Sequence, residues 1–60
     1  MNKFQIGDRV VFKNESVHSH YGTIFEIWVM EAEIVIDWDI KDNFTPHSNI
    51  SIFSEGLKKV

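Results

Sequence analysis

Cysteine is absent from this chain, proline occurs once, at Pro46, and glycine three times, at Gly7, Gly22 and Gly56. Without cysteine there is no disulfide framework and no thiolate metal site to reinforce a small core. That composition fits a reducing cytoplasm, where the protein is expected. Long apolar runs are missing too. No window approaches the roughly 20 apolar residues that a membrane span needs, and the opening Met1-Asn2-Lys3-Phe4-Gln5-Ile6 has no apolar core of a secretion signal. A soluble, unprocessed protein without membrane association is the expectation. Basic residues are scarce: six Lys and Arg stand against nine Asp and Glu, a net charge of −3, which opposes nonspecific phosphate binding because that depends on cations displacing counterions.

What is present points to a folded chain. Aliphatic and aromatic residues make up 43% of it, including five Phe, two Trp and one Tyr, which suits a packed fold and not a disordered tail. Sixty residues allow one domain, spanning 1–60, and folding at this size hides only about 60% of the extended chain's surface, so the core must be thin. Acid is concentrated: between residues 26 and 43, Glu26, Glu31, Glu33, Asp37, Asp39 and Asp42 face only Lys41, while the segments on either side each carry a net +1.

Side chains alternate at period two, and no stretch keeps apolar residues at helical spacing, so the chain reads as all-β. The first strand is expected over Arg9–Lys13, with Val10 and Phe12 on one face and Arg9, Val11 and Lys13 on the other. Asn14 to His20 reads as a polar loop. The second strand runs from Tyr21 to Val29, placing Trp28 in register with Gly22, Ile24 and Glu26. A connection without Gly, Pro, Asn or Asp leads to the third strand, Ala32–Trp38, whose Ile34, Ile36 and Trp38 make the clearest core face. Phe44-Thr45 is expected as a short fourth strand ended by Pro46, which has no N–H for a ladder. His47-Ser48-Asn49 reads as a single 3₁₀ turn, Ile50–Phe53 as the last strand, and residues 54–60 as a polar, frayed tail.

Gly7-Asp8 opening the first strand, Gly22-Thr23-Ile24 beginning the second, the Trp38-Asp39 end of the third and a helical turn before the last together resemble the five-stranded SH3-like barrels, especially their KOW-type and Tudor-like members, over residues 4 to 54. A strand bending across so small a barrel needs a residue without Cβ at the crowded corner. The resemblance implies a binding module. KOW-type members carry Lys and Arg in the first loop and bind RNA or polymerase-associated proteins; Asn14 to His20 contains neither.

Candidate sites follow from residue chemistry. Tyr21, Trp28, Trp38 and Phe44 have the makings of an aromatic cage for a cation, with Asp37 or Asp39 supplying charge, as the Tudor-like resemblance implies; the competing reading places tryptophan in the core. Trp28, sharing a face with a glutamate, is a candidate anchor for a protein partner. The acidic hairpin, Glu31, Glu33, Asp37 and Asp39 included, reads as a solvated edge, a patch for a basic partner or a nucleic-acid mimic. His18, His20 and His47 are the candidate metal ligands, but the spacing is weak and no cysteine joins them. Asp37, Asp39 and Asp42 lack the glycine and terminal glutamate of a calcium loop. There is no phosphate loop, nucleophile elbow or Cys-His pair, so neither an enzyme nor a bound cofactor is expected. The leading expectation is a noncatalytic module that binds a protein through the first loop, the acidic hairpin and exposed aromatics Tyr21, Trp28 and Phe44. The alternative is a nucleic-acid-associated module using Lys3, Arg9, Lys13, Lys58 and Lys59 as phosphate contacts. The oligomeric expectation is a monomer or a weak homodimer formed through sheet edges.

Overall fold

Five strands, all antiparallel to their neighbours, make one curled sheet in the order β4-β3-β2-β1-β5: β1 Arg9–Lys13, β2 Ser19–Trp28, β3 Glu33–Trp38, β4 Asn49–Ser51 and β5 Leu57–Lys59. The computed structural model describes residues 3–13 and 19–60, and among them there is no helix. The sheet curls into a half-barrel around Phe4, Val10, Ile24, Ile34, Ile36, Trp38, Ile50 and Leu57, with Phe12, Ile27 and Ile52 packed at its margins. The expected core faces of β1 and β3 are therefore the observed ones. Val35, on the opposite face of β3, is also buried, because it sits mid-sheet between Glu26 of β2 and Asn49 of β4.

The long β2 is the spine. It pairs with β1 through its first half and with β3 from Gly22 onward. Between Ile24 and Glu26 the register slips by one residue, leaving Phe25 unpaired, a bulge that bends the strand and inverts its alternation. Ile24 and Ile27 both point to the core as a result, while Glu26 and Trp28 share the outer face. The expected register of Trp28 with Gly22 and Ile24 is corrected by this bulge; its register with Glu26 stands.

At Gly22, β2 leaves no room for a side chain against β3. A Cβ there would lie 2.5 Å from Ile36 Cγ2 and 2.8 Å from the Asp37 carbonyl oxygen, so the absence of a side chain is a packing requirement. Gly7 serves a different need: its surroundings are open, but its φ of +95° completes the turn in which Asp8 N–H donates to Gln5 O at 3.0 Å.

The second half of the chain departs most from expectation. Phe44-Thr45 lies in a turn, held as Asp42 N–H donates to Thr45 Oγ1 at 2.7 Å and Phe44 N–H donates to Asp42 Oδ1 at 2.8 Å; these local bonds compete with any strand pairing. No 3₁₀ turn forms over His47-Ser48-Asn49, because Asn49 already belongs to β4 and pairs with Val35. The strand expected at Ile50–Phe53 is β4, the fourth and not the last, and it stops at Ser51. Residues 54–60 are no frayed tail. After Ser54 N–H donates to Ser51 O at 3.0 Å, Gly56 at φ +86° turns the chain back against Lys13, and Leu57–Lys59 pairs with β1. A Cβ on Gly56 would overlap the Lys13 carbonyl, whose residue's own N–H donates to Gly56 O at 3.1 Å.

Candidate functional site

Two surfaces at opposite ends of β2 divide the residues expected to form one partner-binding face. Trp28 pairs with Glu33 and Gly22 with Trp38, and six positions along a strand correspond to about 20 Å. Trp28, Glu31 and Glu33 thus stand at the β2–β3 hairpin tip, whereas Tyr21, Asp39 and the β3–β4 connection that holds Phe44 stand at the far end. Trp38 is buried, its Nε1–H donating to the His47 carbonyl at 3.2 Å. The expected four-ring cage is accordingly not assembled: one tryptophan is core and the other is a strand's length away.

At the far end, a groove of about 420 Å³ is lined by Arg9, Ser19, His20, Tyr21, Asp39, Ile40 and Asp42. Its wall is an ion pair in which Arg9 Nη1 and Nη2 donate to Asp39 Oδ1 and Oδ2 at 2.8 and 2.6 Å, with Nη1 also 3.0 Å from Thr23 Oγ1. Hydrogen bonding from the guanidinium holds the Asp39 carboxyl below the usual range, and Asp39 raises Arg9 in return. Lys41 Nζ lies 3.2 Å from Asp37 Oδ1. His20, mostly buried against Trp38 in an edge-to-face contact of 6.2 Å, has its Nε2 4.0 Å from Asp42 Oδ1. The carboxylates at this end are thus each matched to a basic group within the chain. His18 lies outside the described residues, as does most of the first loop that was expected to contribute to binding, and among the described residues no three His, Asp or Glu side chains converge as a metal site.

The tip is built differently. The connection from Val29 to Ala32 is closed by Ala32 N–H donating to Val29 O at 3.2 Å, and Ala32 takes a left-handed φ of +55°, which an alanine adopts at a cost. This geometry lifts Val29 and Met30 into solvent, 82% and 93% exposed. Ile52 N–H donates to Ala32 O, so β4 delivers Phe53, 81% exposed, to the same end. Trp28, 38% exposed, is held by its Nε1–H donating to Glu26 Oε1 at 2.7 Å, and Glu33 Oε1 accepts from Asn49 Nδ2 at 3.0 Å. Among the described residues none of Glu26, Glu31 and Glu33 has a cationic partner. Val29, Met30 and Phe53 were missed from sequence because Val29 and Phe53 read there as strand residues and Met30 as part of a connection without features; the missing turn signature between Val29 and Glu33 was the available signal.

Two of the five expected phosphate contacts are engaged by carboxylates within the chain. Arg9 is engaged by Asp39, and Lys59 Nζ lies 3.4 Å from Asp8 Oδ2 and 3.1 Å from Lys3 O. Lys13 and Lys58 share the outer side of the β1–β5 pair, since Val11 stands opposite Lys58. No helix among the described residues is long and apolar enough to cross a membrane. No family model, curated protein or solved structure matches this chain.

Proposed function

We propose that this chain is a noncatalytic SH3-like module that binds a protein partner through the tip of its β2–β3 hairpin. Five short antiparallel strands in the order β4-β3-β2-β1-β5, with a long bent second strand shared by both halves, support the SH3-like reading. The observation that carries the binding reading is the exposure of Val29, Met30 and Phe53 at the same end of the sheet as Trp28: large apolar groups gathered at one end of a domain this small mark a surface that another molecule covers. A KOW-like nucleic-acid role is less well supported, because two of its five candidate cations, Arg9 and Lys59, already pair with carboxylates.

The test is a pull-down from extracts of the protein's own cells, read by mass spectrometry. The intact chain is expected to recover a defined set of proteins that Trp28→Ala and the double variant Val29→Ser, Met30→Ser fail to recover. Recovery of the same set by these variants overturns the reading, and so does tight, salt-sensitive binding of single-stranded RNA by the intact chain and by both variants alike.

A further inference from the structure

We infer that the hairpin tip receives a cationic, amphipathic protein segment, with an arginine or lysine of the partner seated on the Trp28 indole and flanking apolar side chains on Val29, Met30 and Phe53. The inference rests on the protein-binding reading above and adds the chemistry of the partner. Three observations carry it. Trp28 lies directly opposite Glu33 and two residues from Glu26 on the same outer face, so its ring is flanked by carboxylates along the strand and across the ladder. The Nε1–H bond to Glu26 Oε1 at 2.7 Å engages the indole's polar edge within the chain while the residue stays 38% exposed, and indole is the strongest cation acceptor among aromatic rings. Charge is also distributed unevenly along the β2–β3 pair and its ends: Asp37 and Asp39 are matched by Lys41 and Arg9, whereas Glu26, Glu31 and Glu33 have no cation among the described residues. An apolar tip rimmed by unmatched carboxylates is complementary to a positively charged segment and repels an acidic one or a phosphate backbone.

The probe is a short capped peptide alternating arginine and leucine, titrated into the isotopically labelled full chain while the backbone and indole N–H resonances are followed by NMR. The control peptide replaces each arginine by citrulline, which keeps the side chain's shape and removes its charge. The arginine peptide is expected to shift the Trp28 indole, Val29, Met30 and Phe53, and the citrulline peptide to bind about tenfold more weakly. Glu26→Gln and Glu33→Gln retain the hydrogen bonds to Trp28 and Asn49 while removing charge, and each is expected to weaken the arginine peptide about threefold. Equal binding of the two peptides, no shift from either at millimolar concentration, or shifts centred on the Arg9–Asp39 groove overturns the inference. The two proposals fail separately. Cellular partners lost by Trp28→Ala but kept by the paired glutamine variants leave the protein-binding reading standing and sink the cationic segment; partners kept by Trp28→Ala sink the reading itself.

Discussion

Arg9 and Asp39, thirty residues apart, meet through two parallel hydrogen bonds and so tie β1 to the end of β3 across the intervening β2. Because the folded-state carboxyl of Asp39 titrates below its unfolded value, the pair contributes stability that is present above the ordinary carboxyl pKa of about 3.8 and is lost as pH falls through the folded one. Asp39→Asn is therefore expected to melt below the intact protein at pH 7, with the difference shrinking steadily under pH 4. Thermal melts at stepped pH check this, and a difference that is constant down to pH 2 contradicts it.

Gly22→Ala places a methyl group into Ile36 and the backbone of Asp37. Forcing atoms into a filled site costs about 1–3 kcal/mol, a large part of what a domain of this size has. The urea midpoint is expected to fall sharply; an unchanged midpoint would show that β2 and β3 can separate without penalty there.

Ala32 sits in a backbone region suited to glycine. Replacing it with glycine removes the Cβ strain of about 1–2 kcal/mol and gives back part of that gain as extra freedom in the unfolded chain. Ala32→Gly is expected to stabilise by up to about 1 kcal/mol, raising the melting temperature by several degrees. Ala32→Val at the same position should do the reverse.

Leu57 and Phe53 are both large apolar residues near the end of the chain, but Leu57 is buried in the core and Phe53 is exposed. Leu57→Ala is expected to cost about 2–5 kcal/mol and to leave much of the population unfolded at 25 °C. Phe53→Ala should change stability by less than about 0.5 kcal/mol. Equal effects would return residues 54–60 to the status of a loose tail.

The alternation of β1 and β3 was legible because Val10, Ile34, Ile36 and Trp38 repeat at the period of a pleated strand, and the crowding at Gly22 was legible from the need for a residue without Cβ at a corner, although the bulge itself lies at Phe25. The end of the chain was harder to read. Ser54-Glu55-Gly56-Leu57-Lys58-Lys59 carries a turn glycine and one buried leucine, too little alternation to identify a strand whose partner, β1, lies more than forty residues earlier. Phe44-Thr45 carries strand-forming residues, yet the N–H groups of both are taken by Asp42, through its side chain and its carbonyl, and are not offered to a ladder. The candidate tip was half legible: Trp28, Glu26 and Glu33 stood out by residue type, while Val29 and Phe53 read as strand residues and Met30 as plain connection.

By itself, the order of residues determined that this protein is made of strands, which faces of β1 and β3 turn inward, and where acid accumulates, because these depend on side-chain period and local charge. Only the tertiary structure decided which carboxylates among the described residues meet a cation, and which apolar groups are covered. A one-residue slip at Phe25 reverses the facing of every later position in β2, and ion pairs such as Arg9–Asp39 depend on a sheet order that no local pattern encodes.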